Sequence, residues 1–135
     1  MPLFVWKNDY SVKVNAMDNQ HKQLFAIMDK LHEYMKVGKG SEMLESILTE
    51  LSTYTQRHFG DEEKLMAQHG YPGIEDQKRA HKQFIDKISE YRNDIKAKKL
   101  VSAVQTMDFL KKWLLNHIMV IDAKYADFFN QKGVN

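Results

Sequence analysis

The segment from residue 44 to residue 65, LESILTELSTYTQRHFGDEEKL, has an inward-facing pattern at steps of three and four residues. Such steps place side chains on one face of an α-helix. Two members of the pattern are polar, His58 and Glu62, and burial of such groups among apolar side chains is costly unless something pairs with them. The segment therefore predicts a helix with a buried polar site, on a face made of Leu44, Ile47, Leu48, Leu51, Tyr54, His58, Glu62 and Leu65.

Three other segments have the same helical period, and we expect them to begin at an Asp18 cap, near Ile74 and near Ser102. Three short loops separate the four segments, and the first two contain Gly38 and Gly70. Long helices with short connections favour an all-α, up-down-up-down four-helix bundle. The inward faces of the three other helices include the polar residues His21, Gln77, His81, His117 and Asp122.

We expect one domain over residues 1–135, with the bundle at 18–133. Residues 1–17 lack a helical period, and Phe4, Trp6 and Tyr10 predict an N-terminal arm laid across the outside of the bundle. A chain of 135 residues with 43% hydrophobic content is long enough for one core and too short for two domains of usual size.

Composition excludes several classes of protein. The 20 basic and 18 acidic residues are interspersed, so we expect no nucleic-acid partner. Cysteine is absent, which excludes disulfides, thiolate metal sites, iron–sulfur clusters and covalent c-type haem. No segment resembles a signal peptide or a membrane span, so we expect a cytoplasmic protein without a membrane partner, and a monomer.

Recurrence separates the inward histidines from ordinary core histidines. One histidine on an apolar face is usually satisfied by a single hydrogen bond, but here every helix contributes one. Glu62 and Asp122 add two carboxylates, so the set predicts a metal site, whereas His32 and His69 fall outside it. Imidazole with carboxylate suits iron, manganese or zinc. Five or six ligands exceed a tetrahedral zinc site, so two metals bridged by the carboxylates are favoured.

The pair His117 and Asp122 poses a geometric problem. Five residues turn about 140° from one face on an ideal helix, since each residue turns about 100°. We therefore expect local bending of the helix or a long reach of the carboxylate at this point.

Four fragments in order resemble the hemerythrin family, in particular its single-domain bacterial members, the bacteriohemerythrins. Each fragment is weak alone, but the ordered combination is specific and spans nearly the whole chain. The fragments are DNQH at 18–21, HFGDEE at 58–63, GYP at 70–72, and WLLNHI at 113–118 with Asp122 five residues after the histidine.

The resemblance implies a non-haem diiron centre that binds dioxygen for transport, storage or delivery, rather than an enzyme. It implies that His21 and His58 ligate one iron, which keeps an open position, while His81 and His117 ligate the other. Glu62 and Asp122 would bridge the two irons together with an oxo or hydroxo ion. We expect an apolar lining from Phe59, Leu114 and Ile118, and no side chain near the set that could donate a proton.

One position departs from the family pattern. The family has a ligand histidine four residues before the position of His81, and this chain has Gln77 there. Asp76 and Lys78 cannot replace it, because each is rotated about 100° from that face. The second iron could bind the Gln77 oxygen weakly, hold a water, or stay open. We expect weaker ligation of that iron, which would also favour reactivity toward peroxide or nitric oxide.

The sequence lacks the signature motifs of two other classes of metal protein. A ferritin-like diiron oxidase needs Glu-x-x-His pairs, and no histidine here has a glutamate three residues earlier. A zinc peptidase needs His-Glu-x-x-His, which is also absent. A diiron enzyme or scavenger of peroxide or nitric oxide, an oxygen or redox sensor, a haem bundle with histidine and methionine ligands, and a metal-free bundle stay open as alternatives.

Overall fold

The structure is a computed structural model that describes residues 5–135. Phe4 of the predicted arm lies outside the described residues. The prediction of an all-α four-helix bundle is confirmed. The bundle helices are α1 (Asn15–Lys36), α2 (Gly40–His69), α3 (Ile74–Lys96) and a fourth helix in three parts, namely α4 (Ala103–Asn116), a π-helical segment (His117–Asp122) and α5 (Ala123–Gln131).

The helix ends follow the local sequence in two of the predicted places. Ser102 caps α4, since its side chain accepts a hydrogen bond of 3.2 Å from the backbone of Gln105. Gly70 ends α2 with a φ of 68°, a left-handed conformation that glycine adopts without the steric cost of a Cβ atom. These two residues mark where the α3–α4 and α2–α3 connections meet the helices.

The predicted start of helix one is wrong. The helix begins at Asn15 with Val14 at the N-cap, and no side chain caps it. Asp18 lies within the first turn, where its carboxylate accepts hydrogen bonds of 2.6 Å from the Ser11 hydroxyl and 2.8 Å from the Val12 backbone. The carboxylate of Asp18 therefore fastens the preceding segment to the helix instead of capping the helix backbone.

The N-terminal segment is partly a core element. Trp6 and Tyr10 pack against Phe25 of α1, with ring centroids 5.7 and 5.4 Å apart. Val12 and Val14 are buried in the same core as the helices. The arm is therefore not only laid across the outside of the bundle, since its last residues close one side of the core.

Apolar residues of all helices fill the interior, and α1 and α3 each pack against α2. The largest fully buried side chains include Leu24, Leu48, Phe84, Leu110 and Phe129. None of the helices between residues 5 and 135 is both long and apolar enough to cross a lipid bilayer.

Candidate metal centre

The seven polar residues predicted from the sequence all lie in the interior. None of them is more than 2% exposed, and they come from all four helices of the bundle: His21, His58, Glu62, Gln77, His81, His117 and Asp122. The histidine nitrogens and carboxylate oxygens of six of them form two groups, and within each group every ligand atom lies within 4.8 Å of the others. One group is His21, His58 and Glu62, and the other is Glu62, His81, His117 and Asp122.

Glu62 belongs to both groups. Its Oε1 atom lies 3.2 Å from Nε2 of His58 and 3.4 Å from Nε2 of His81, and its Oε2 atom lies 3.6 Å from Nε2 of His21. Donor atoms about 2.1 Å from one cation and at right angles to each other are about 3 Å apart. The carboxylate of Glu62 is thus placed to contact a cation on either side of it.

Asp122 faces the two groups in the same way. Its Oδ1 atom lies 3.1 Å from Nε2 of His117, and its Oδ2 atom lies 3.3 Å from Nε2 of His21. The π-helical segment makes the first contact possible, because π-helical hydrogen bonds join residues five apart, one more than in an α-helix. The local departure from the α-helix that the spacing of His117 and Asp122 required is therefore present.

Several buried atoms of this cluster lack a hydrogen-bond partner among residues 5–135, and they include Nε2 of His21, Oε1 of Glu62, Oε1 of Gln77 and Oδ2 of Asp122. Buried polar atoms are normally paired, so a group of such atoms facing each other is a costly arrangement. Imidazole nitrogens and carboxylate oxygens are ligands of iron, manganese and zinc. A metal pair would satisfy the histidine and carboxylate atoms of this set, and these residues therefore fit such a group.

The histidines of α2 and α3 are held from behind by side chains that the sequence did not single out. Nδ1 of His58 forms a short hydrogen bond with Oε1 of Gln20, whose amide donates to Asp61 at 3.0 Å. Nδ1 of His81 lies 2.9 Å from Oε2 of Glu63. Such contacts fix the orientation of an imidazole and leave Nε2 directed into the cluster. The only signal in the sequence was that Gln20 and Glu63 adjoin predicted ligands.

Aromatic rings cover one side of the cluster. Phe59 stacks on His81 with ring centroids 3.9 Å apart, and Trp113 stacks on His117 at 4.5 Å. Leu114 and Ile118, the other two residues predicted to line a pocket, are buried on the same helix as His117. These apolar groups shield the polar cluster from water on the side of His81 and His117.

A buried hydroxyl that the sequence pattern did not single out lies beside the set, and the expectation that no side chain there could donate a proton stays a prediction. The hydroxyl of Tyr125 donates a hydrogen bond of 2.6 Å to Oε2 of Glu62, and Tyr125 is completely buried. The residue lies on the apolar face of the fourth helix, where its pattern is that of a core aromatic. The helical period places Tyr125 inside the bundle, but it does not show which group its hydroxyl meets.

The ionisation of the cluster reflects its enclosed carboxylates. Burial alone would lower the pKa of His21, but the carboxylates of Asp122 and Glu62, 3.3 and 3.6 Å from its Nε2 atom, outweigh burial and raise the pKa from 6.5 to about 10. Burial would likewise lower the pKa of His81, but the contact with Glu62 outweighs burial and raises this pKa. Burial would raise the pKa of Glu62, yet the neighbouring histidines hold it well below 4.5. Protons on histidine thus offset the buried negative charge.

Gln77 lies against the fourth helix. Its Nε2 atom donates hydrogen bonds to Oδ1 of Asp122 at 3.0 Å and to the backbone carbonyl of Ile121 at 3.4 Å. Asp76 and Lys78 on either side are exposed, which confirms that neither can take the place of Gln77 in the cluster. The side chain therefore reaches the carboxylate that also faces His117.

Comparison with known proteins gives a consistent result. The family model described as the hemerythrin HHE cation binding domain matches residues 12–129. The bacteriohemerythrin of Stenotrophomonas maltophilia is 34% identical over 128 residues, which cover 94% of this chain and 82% of that protein. The myohemerythrin of Sipunculus nudus is 31% identical over 123 residues, 90% of each chain.

Solved structures similar to this chain come from the same family as its relatives in sequence. The structure of wild-type hemerythrin superposes with a TM-score of 0.85 at 27% identity, covering 93% of this chain and 96% of that one. A similarity at this level extends over the whole bundle, and the family match includes every residue of the buried cluster. This chain belongs to the hemerythrin family.

Proposed function

We propose that this chain holds two iron ions in the buried cluster and binds dioxygen there, as a carrier, store or delivery protein. The observation that carries the proposal is that Glu62 is shared by two groups of buried ligand atoms. His21 and His58 would hold one iron, and His81 and His117 the other. Membership of a family whose model is described as a cation binding domain supports the same assignment.

Each carboxylate has a separate part in this proposal. Glu62 and Asp122 would each be shared between the two irons, since each faces histidines of both groups. Their negative charges would offset the charge of the paired cations. Bound ferrous iron would supply the electrons that dioxygen accepts. The protein would keep the imidazoles oriented through Gln20 and Glu63 and exclude water from the centre.

Access to the centre is proposed from the side of His58. A cleft of about 200 Å³ between α1 and α2 reaches His58 and is lined by Gln20, Gln23, Tyr54 and Arg57. Because the cleft reaches His58, the iron held by His21 and His58 would take the dioxygen at its open position. Phe59, Leu114 and Ile118 would form the apolar wall on the other side. One copy of the chain contributes every proposed ligand, so a monomer suffices.

Reconstitution with ferrous iron tests this proposal. Metal-free protein is loaded without oxygen, desalted, and assayed for iron and protein. We expect about two irons per chain, and about two again for a His32→Gln control, because His32 is a partly exposed histidine outside the cluster. Loss of both irons on desalting, or equal retention by a variant in which His21 and His117 are both replaced by glutamine, would contradict the proposal.

A further inference from the structure

We propose that Gln77 is a hydrogen-bond donor to Asp122 and not an iron ligand, and that the iron held by His81 and His117 therefore has a coordination position for a small exogenous ligand. This inference rests on the proposed function and gives its centre a second ligand-binding position. The position would be in addition to the open one on the iron held by His21 and His58.

The acceptors around Gln77 fix which way its amide group points. Its two N–H groups face Oδ1 of Asp122 at 3.0 Å and the carbonyl oxygen of Ile121 at 3.4 Å. Turning the amide by 180° would place its oxygen against a carboxylate oxygen and a carbonyl oxygen. Neither of those can donate, so the turned amide would lose both hydrogen bonds and face two negative dipoles. The amide nitrogen is thus held beside Asp122.

An amide nitrogen in this position is a poor metal ligand. Its lone pair is delocalised into the carbonyl, and its hydrogens are directed at the acceptors, so it has nothing to offer a cation. The contact also binds Gln77 to Oδ1 of Asp122, the oxygen that lies 3.1 Å from Nε2 of His117. Gln77 therefore orients a proposed bridging carboxylate. No other residue of α3 replaces the missing ligand, because Asp76 and Lys78 point outward.

The free end of the amide supplies a second, independent observation. Oε1 of Gln77 is buried, and no donor among residues 5–135 reaches it. The side chain as a whole is only 1% exposed. A buried acceptor of this kind is satisfied by a group that carries a hydrogen, whereas an uncharged carbonyl oxygen suits magnesium, calcium or manganese better than iron. Water, hydroxide or a protonated small ligand on the adjacent iron would provide one, so Gln77 can both position Asp122 and accept a hydrogen bond from the ligand.

The inference predicts a count of small ligands, which azide can report. Iron-loaded, oxidised protein is titrated with azide by calorimetry, and iron is assayed on the same samples. We expect two azide ions per two irons in the unaltered chain. In Gln77→His an imidazole fills the position, so we expect one. Gln77→Leu removes the donor and the oxygen while leaving the position open, so we expect two, with weaker binding of the second.

The outcomes separate the inference from the function on which it rests. Two irons with a single azide in the unaltered chain and in Gln77→Leu would overturn the inference and leave the diiron centre standing. Fewer than two irons in the unaltered chain and in Gln77→His would overturn both. Two irons in Gln77→His with fewer than two in the unaltered chain would overturn the inference alone. The second iron would then be held only when residue 77 is a histidine.

A second readout needs no iron. In metal-free protein the side-chain amide protons of Gln77 should exchange with solvent at least tenfold more slowly than those of Gln83, an exposed residue of the same helix. Replacement of Asp122 by alanine should remove most of that protection. Exchange of Gln77 as fast as that of Gln83, or protection unchanged in Asp122→Ala, would show that the amide does not donate to Asp122.

Discussion

Tyr125 on α5 donates a hydrogen bond of 2.6 Å to Glu62 on α2, and neither side chain is more than 1% exposed. Burial and the charge of Glu62 raise the pKa of the Tyr125 hydroxyl well above 10, so it stays protonated as a donor. The contact joins two helices of the bundle through a residue proposed to bridge the metals. Tyr125 therefore acts on both the stability of the bundle and the placement of the carboxylate.

Replacement of Tyr125 by phenylalanine should lower the free energy of unfolding of the metal-free protein by about 1.5–3 kcal/mol. This is the usual range for a hydrogen bond to a charged group. Urea unfolding followed by circular dichroism measures the change. Tyr34→Phe is the matched control, because Tyr34 is partly buried away from the cluster, and it should change the free energy by less than about 0.5 kcal/mol. Equal decreases in the free energy of unfolding in the two variants would show that the Tyr125 hydroxyl does not stabilise the fold through Glu62.

Replacement of His58 or Glu62 by alanine should lower the iron content and the Tm of the iron-loaded protein together. Each residue supplies ligand atoms to the cluster, and metal that binds only the folded state adds to its stability. Iron assay and differential scanning calorimetry measure the two effects. If either variant keeps two irons and an unchanged Tm, that residue is not a ligand.

A smaller side chain at Leu114 should speed oxidation of the oxygen-bound protein. Leu114 lies about one turn before His117 and is 3% exposed, so a shorter residue would let water approach the centre. Stopped-flow absorption measures the decay. Leu110→Ala is the control for packing, since Leu110 is fully buried one turn further away on the same helix. Both variants should lose about 2–5 kcal/mol of stability. Decay of Leu114→Ala at the rate of Leu110→Ala would place Leu114 outside the pocket.

The metal-free protein should become less stable as pH rises from 7 to 9. His21 has a pKa of about 10 in the folded chain and about 6.5 when unfolded, because Asp122 and Glu62 favour its charged form. A histidine with a raised pKa stabilises the folded state fully when the pH is below its pKa in the unfolded chain. That stabilisation is lost as the pH rises from this pKa through the pKa in the folded chain. The slope for one proton is at most about 1.4 kcal/mol per pH unit.

Urea unfolding at several pH values measures this slope, and His21→Gln is the variant without the titrating group. We expect a shallower dependence on pH in His21→Gln than in the unaltered chain. A flat profile for the unaltered chain between pH 7 and 9 would mean that no buried histidine keeps a proton there.

The fold and the set of buried polar residues followed from the helical period, because inward positions recur at three and four residues. Contacts between helices did not follow in the same way. The pairing of Tyr125 with Glu62 joins positions 63 residues apart, and a period within one helix carries no information about it. Gln20 and Glu63 were missed as partners of His58 and His81 for the same reason.

Two local features had opposite outcomes. The five-residue spacing of His117 and Asp122 indicated a departure from the α-helix, since two polar residues had to share one buried face, and the π-helical segment provides it. Asp18 has a strong preference for caps, yet its carboxylate binds Ser11 and the backbone of Val12. The preference shows that the aspartate carboxylate can accept hydrogen bonds from nearby backbone groups. The way the preceding segment folds back decides which donors lie near it.

Titration of the reduced, iron-loaded protein with dioxygen tests the central claim most directly. Known amounts of oxygen are added without air, and the absorption spectrum is recorded after each addition and again after purging with argon. We predict saturation at one dioxygen per two irons and recovery of the starting spectrum on purging. Two irons per chain with no saturable spectral change, or with an oxidised spectrum that purging never reverses, would contradict an oxygen carrier built on this centre.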